Sequence, residues 1–325
     1  MNFANFFRIE AHLRINGANR FLEKRKLAGK HDRACNAAYA AEEQGSWHSD
    51  PTRQASCQQA AQRRNPRLGP LHFVSHDAAA LYNSLQLQVT GQLSHGLRLQ
   101  GSYTWSKALA EDTVYDAGVT SNAPPISMIP FDPHADRGYA NFDQRHVFSF
   151  NYTYQFPGNS LQGVAAAVWK VWETNGIARV TSGLPLTVGM TVNQSGDGAT
   201  AQIPDRPNLR AGASNNPVLG TVSRWYDPAA FEFPRLGFYG NLGRNTVIGP
   251  GVATFDLSLV KNFRFTERHS LLFRAEFFNL FNHANFGLPK RFVFAAGGAV
   301  VGNAGAIQTL TTSSRQIQFG LRYSF

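Results

Sequence analysis

Apolar and polar residues alternate along much of this chain. In the last eleven residues Ile317, Phe319, Leu321, Tyr323 and Phe325 take one set of positions, and Gln316, Gln318, Gly320, Arg322 and Ser324 take the other. Side chains of a strand repeat every two residues, so this pattern predicts a strand with one apolar and one polar face. It is about ten residues long, enough to cross a bilayer at a tilt. The pattern recurs upstream. Leu97, Leu99, Gly101, Tyr103 and Trp105 alternate with Arg98, Gln100, Ser102, Thr104 and Ser106. Phe148, Phe150, Tyr152 and Tyr154 alternate with Ser149, Asn151, Thr153 and Gln155. Phe255, Leu257, Leu259 and Phe263 share a face that Lys261 interrupts, and Leu271, Phe273, Ala275 and Phe277 alternate with Leu272, Arg274, Glu276 and Phe278. Leu85, Leu87, Val89 and Leu93 alternate with Ser84, Gln86, Gln88 and Thr90, and a less clean alternation covers 169–182. The expected strands are therefore 81–93, 95–107, 144–156, 169–182, 252–265, 268–281 and 315–325, longer than the usual soluble strand of about five or six residues. Aromatic residues gather at the ends of the apolar faces, as interfacial girdles do in transmembrane barrels.

The links between these segments alternate in length. Residues 94–96, 157–167 and 266–267 are short, whereas 108–143, 183–251 and 282–314 are long. Outer-membrane barrels join strands by short periplasmic turns and long extracellular loops. A soluble sandwich has no cause to sort its loops in this way, and long structureless loops are uncommon in compact domains. The fold expected is all-β: an antiparallel transmembrane β-barrel, partial, with about seven or eight long strands. On this reading the last strand runs toward the periplasm.

Composition changes the picture in two places. The chain is 43% hydrophobic and 12% aromatic, and no run approaches the eighteen apolar residues of a membrane helix. Alternation hides the membrane signal of a barrel, so a low mean hydropathy does not argue against one. Residues 1–66 differ from the rest. They hold eleven Lys or Arg and six Asp or Glu, a surplus of five out of a formal net charge of +10. They also hold both cysteines, Cys35 and Cys57. We expect a basic leader of unknown structure over 1–66, disordered or read from a wrong start, and a barrel portion over 67–325. Lys24-Arg25-Lys26 could touch nucleic acid or anionic lipid; without an accompanying motif a solvated leader is the better reading, and no nucleic-acid partner is expected. No apolar run with a small-residue cleavage site stands near Met1, so no secretory signal is expected there.

Nine stretches in order carry a resemblance to a known family. They are Leu81-Tyr-Asn-Ser-Leu-Gln-Leu87, His95-Gly-Leu-Arg-Leu-Gln-Gly-Ser-Tyr-Thr-Trp-Ser-Lys107, Phe142-Asp-Gln-Arg-His146, Ser182-Gly-Leu-Pro185, Asp205-Arg-Pro-Asn208, Trp225-Tyr-Asp-Pro-Ala-Ala-Phe231, the run Gly240 to Gly251, Arg274-Ala-Glu-Phe-Phe-Asn-Leu-Phe-Asn-His283 and the terminal strand. From about Asn65 to Phe325 the chain resembles the C-terminal barrel portion of Oar-like TonB-dependent outer-membrane receptors. That resemblance implies uptake of a bulky ligand across the outer membrane and contact with outer-membrane lipid. It also implies recognition by the barrel-assembly machinery through Phe319, Leu321, Tyr323 and Phe325. The TonB energy complex would act only through a plug, which has no counterpart here, and the family's barrel of about 22 strands exceeds the strands in view. Residues 1–64 match nothing in the family. The alternative is a small autonomous outer-membrane barrel or surface adhesin.

Chemistry-bearing motifs are sparse, and neither an enzyme nor a cofactor is expected. Asp132-Pro-His134-Ala-Asp136 lacks the ligand count and spacing of a metal site and reads as a polar loop. Asp143-Gln-Arg-His146 sets an acid near a histidine at a strand start, and a nucleophilic triad would further need a serine brought to them in space. Ser195-Gly-Asp-Gly198 and Ala295-Ala-Gly-Gly298 read as turns, not phosphate loops. The acceptor patterns at Asn151 and Asn193 are attributed to chance. Arg274 and Glu276 are candidate lumen-lining residues. Trp225, Arg244 and Asn245 are expected to hold the central loop together.

Overall fold

The computed structural model describes residues 6–15, 78–93, 96–111, 128–129, 132–156, 172–195 and 205–325. In chain order its strands are β1 (Phe6–Ile15), β2 (Ala80–Gln92), β3 (Leu97–Ala110), β4 (Gly138–Tyr139), β5 (His146–Gln155), β6 (Trp172–Thr181), β7 (Pro185–Leu186), β8 (Gly189–Met190), β9 (Asn208–Leu209), β10 (Phe231–Glu232), β11 (Val247–Ile248), β12 (Val252–Arg264), β13 (Ser270–Phe278), β14 (Phe292–Phe294) and β15 (Gln316–Ser324). The long strands form one sheet in the order β1-β2-β3-β5-β6-β12-β13-β15, with β4 on the end of β3. Every neighbouring pair in it is antiparallel. The meander does not close: among the described residues β1 and β15 do not pair.

The seven expected strands are all present, with ends moved by at most three residues. Two short links are tight for visible reasons. Gly96 takes φ +79°, and Leu93 N–H donates to Leu97 O at 2.8 Å, turning β2 into β3. Between β12 and β13, Phe265 N–H donates to His269 O at 3.0 Å and His269 N–H to Thr266 Oγ1 at 3.1 Å. Residues 157–171 lie outside the described set. Because each strand reverses its neighbour, the links 111–145, 182–251 and 279–315 all leave the same end of the sheet, as the alternation of link lengths requires.

One strand differs from expectation. Phe6–Ile15 lies within the basic leader, yet it pairs with β2 over ten residues, from Phe6 opposite Gln92 to Ile15 opposite Asn83. Its own sequence alternates: Phe7, Ile9, Ala11 and Leu13 stand opposite Gly91, Val89, Leu87 and Leu85, while Arg8, Glu10, His12 and Arg14 stand opposite polar positions. The leader therefore carries an eighth long strand. The rest of 1–66, both cysteines and Lys24-Arg25-Lys26 included, lies outside the described residues.

The largest buried apolar cluster is not in the sheet. It is built by the long links: Leu186, Val188, Met190, Tyr226, Phe231, Leu242, Val247, Val293 and Phe294 form one core. Short strands knit it together. β11 pairs with β7, β10 with β9, and β14 lies parallel to β8. The described residues of the long links thus form a packed cap over one end of the sheet.

Candidate functional site

Register extends the alternation of single strands into two continuous faces. Residues directly opposite one another in a ladder share a face. Leu257 faces Phe277, which faces Ile317; Phe273 faces Leu321; Ala275 faces Phe319. On the other side, Leu257 faces Gly176, which faces Tyr152, which faces Leu99. One apolar face therefore runs across the sheet. A Cβ at Gly176 would fall on the Tyr152 ring, so this glycine makes room for an aromatic neighbour lying across it. The opposite face holds Arg98, Asn151, Thr153, Asn175, Arg179, Ser258, Gln318 and Arg322.

Hydrogen bonds run along this polar face. Thr153 Oγ1 donates to Asn175 Oδ1 at 2.7 Å, Asn175 Nδ2 to Glu173 Oε1 at 3.0 Å, and Gln155 Nε2 to Glu173 Oε2 at 3.2 Å. Arg274 and Glu276, the candidate lumen-lining pair, sit here too, with Arg274 Nη1 3.4 Å from Glu276 Oε1. The apolar face carries amphipathic aromatic pairs. Tyr103 OH lies 2.7 Å from His146 Nδ1, and Tyr323 OH 2.7 Å from His269 Nδ1, each pair stacked. Such pairing satisfies the polar tip of an otherwise apolar ring.

Lys261 interrupts the apolar face in the sequence, and the structure gives the physical reason it is tolerated. It stands opposite Trp172 on β6 and Phe273 on β13. Its Nζ lies 5.3 Å from the Trp172 ring centre and 4.9 Å from that of Phe263, and Trp172 meets Phe273 edge-on. The side chain is 2% exposed. Aromatic faces stabilise a desolvated cation.

The four residues expected to carry the assembly signal lie at one edge of the sheet. Phe319, Leu321 and Tyr323 are in β15, and Phe325 follows it. All four are exposed, from 55% at Tyr323 to 91% at Phe325.

At the capped end, Trp225, Arg244 and Asn245 have the structural role expected of them. Trp225 Nε1 donates to Ile248 O at 2.8 Å. Asn245, fully buried and at φ +55°, donates through Nδ2 to Tyr139 O at 2.6 Å and Asn141 Oδ1 at 2.8 Å, and accepts from Thr187 Oγ1 at 2.8 Å. Arg244 Nη2 donates to Asn141 Oδ1 at 3.0 Å. These bonds tie the central link to the 111–145 link.

The Asp132–Asp136 segment serves the same purpose. Asp132 caps a short 3-10 turn by accepting from His134 N–H at 3.0 Å. Asp136 pairs with Arg206 at 3.1 Å, and both side chains are almost wholly buried. Burial pulls the Arg206 guanidinium down from its ordinary range, and Asp136 opposes that shift. His134 turns instead to Glu111, at 3.0 Å. Among the described residues no cluster has the make-up of a metal site. Asp143 and His146 do not meet: Asp143 accepts from Ala108 N–H at 2.6 Å, while His146 pairs with Tyr103. Ser195 is held by Asp205, at 3.1 Å from Oγ and 2.6 Å from N–H. Residues 196–204 lie outside the described set, and Ala295–Gly298 is a turn with Gly297 and Gly298 at positive φ.

Sequence reasoning missed the Arg206–Asp136 pair and the Asn141–Asn245 link. Both join residues tens of positions apart, and no local period marks them.

No helix among the described residues is long and apolar enough to cross a membrane. No curated protein and no solved structure matches the chain. Residues 25–318 match the family described as outer membrane beta barrel domain, so the sheet, its two faces and its capped end belong to a chain that is a member of that family.

Proposed function

We propose that this chain forms the C-terminal part of the barrel of an Oar-like TonB-dependent receptor, acting in uptake of a bulky ligand across the outer membrane. The supporting observation is the open meander of spanning-length strands, with the described parts of the long links gathered into one cap. The ordered motifs of the resemblance fall within it, in the strands and in the buried joints of the cap. In this reading the apolar face meets lipid, the polar face lines the lumen, the capped end is extracellular, and the chain catalyses no reaction.

Charge argues that the sheet is part of a wider barrel. Register sets nine charged residues at positions of the polar face: arginines 98, 179, 264, 274 and 322, and acids 10, 173, 256 and 276. An eight-stranded barrel has an interior that side chains fill. Closing these strands on themselves would press these charges into a dry core, at a cost of several kcal/mol for each one left unpaired. A wide, hydrated lumen removes that cost. The experiment is export of the chain behind a signal peptide, followed by heat-modifiable gel mobility and protease challenge of the outer-membrane fraction. The reading expects no heat-modifiable closed monomer. A protease-resistant monomer would instead establish the small autonomous barrel.

A further inference from the structure

We infer that the apolar face carries a binding site for the phosphate headgroup of an anionic lipid, at the capped end of β3. The inference rests on the reading of that face as the one that meets lipid. Register puts Lys107 on it, together with Trp105, Tyr103 and Leu99 of the same strand. Asn83 stands directly opposite Lys107, so the polar break in the face spans two strands. β4 prolongs the line of β5 beside β3, and its Tyr139 stands opposite Leu109, again on this face. Ala108, Ala110 and Ala140 pack together on the other side of the sheet.

Two cations share one ring here. Lys107 Nζ lies 5.9 Å from the Tyr139 ring centre, and the Arg145 guanidinium carbon 5.3 Å from it. Neither is closely paired. Lys107 is exposed and has no carboxylate partner among the described residues. Arg145 reaches Asp143 only at 4.0 Å, and that carboxylate accepts from Ala108 N–H at 2.6 Å. Glu111, just past β3, is taken by His134 at 3.0 Å and by Ala79 N–H at 3.1 Å. Lys261 gives the contrast at the other end of the same face: two rings enclose it and close its charge off.

Exposed rings accompany the open cations. Trp105 precedes Lys107 by two positions on the same face, and Phe142 precedes Arg145 by three; both are more than half exposed. The occupant must therefore join a compact anion to an apolar body. A phosphate carries up to two charges and several acceptor oxygens, which lysine and arginine both bind through charge-assisted hydrogen bonds. Acyl chains below it would lie along Trp105 and the apolar face. A free anion would leave the rings uncovered. A headgroup without net charge would leave two like charges around one ring uncompensated.

The test is quenching of Trp105 fluorescence by lipids with brominated acyl chains, in detergent micelles holding the full chain. Phosphatidic acid is the anionic lipid and phosphatidylcholine the zwitterionic one, with inorganic phosphate as the soluble competitor. The Trp105 share is the difference between the chain and its Trp105→Phe variant. We expect phosphatidic acid to reach half-quenching at a mole fraction at least fivefold lower than phosphatidylcholine, and inorganic phosphate not to reverse it. Lys107→Ala and Arg145→Ala should each remove most of that preference, and Lys107→Arg should keep it. Arg268→Ala removes an equal charge from the exposed turn between β12 and β13 and should leave the preference intact. Equal quenching by the two lipids, equal loss in Arg268→Ala, or reversal by inorganic phosphate would each overturn the inference alone. Quenching by neither lipid would overturn the lipid-face reading as well.

Discussion

Single residues on this sheet are legible as pairs across strands more than as neighbours in sequence. Lys261 looks like an error in an apolar face until β6 and β13 are placed beside it. Trp172, 89 positions earlier, then becomes its partner. A desolvated cation against an aromatic ring is stabilised by about 2 kcal/mol. We therefore expect Trp172→Leu to cost up to that much, because it removes one of the two rings that face the ammonium and leaves Phe263. Lys261→Leu should cost little or stabilise, and the double substitution should recover most of the loss. Urea unfolding in vesicles of a form that folds, run as a double-mutant cycle, measures the coupling; additive effects would remove the aromatic enclosure from the account. In the cap, Asp136→Asn leaves the Arg206 charge buried without its anion. Breaking such a pair from one side costs about 3–5 kcal/mol. The expected result is faster proteolysis of the central link, with the sheet retained.

At the scale of elements, the strands were readable because a period of two is local. Each spanning segment announces itself within a dozen residues, and the alternating link lengths give the direction of each. β1 obeys the same rule, with Phe7, Ile9, Ala11 and Leu13 against Arg8, Glu10, His12 and Arg14, but it stands alone in a basic stretch. Its meaning comes from its register with β2, across a link of more than sixty residues. The short strands of the cap were not readable at all. Two residues cannot display a period, and their partners lie far away, as with Val247 opposite Leu186. The two faces of a spanning strand make a matched test. Leu257→Arg and Ser258→Arg are adjacent in β12 but belong to opposite faces. An arginine at mid-membrane on the lipid side costs about 2–4 kcal/mol. Unfolding free energies in lipid should show Leu257→Arg far more damaged; equal damage would mean the faces are assigned wrongly.

For the molecule as a whole, the cap has a consequence for the order of assembly. Its core takes Leu186 and Met190 from just after β6, Val247 from just before β12, and Val293 from beyond β13. The polar joint of Asn245 reaches back a further hundred residues, to Tyr139 and Asn141. Contacts between such distant segments form late, because loop entropy is lost before they give anything back. Pairing of β5, β6, β12 and β13 brings the ends of these links together and shortens the loops that remain to be closed. The cap is therefore a checkpoint that the chain sets for itself. In a pulse-proteolysis time course the central link should become resistant only after the strands have paired. A variant stalled in strand pairing should leave that link open to protease, a measurable sign of unfinished insertion.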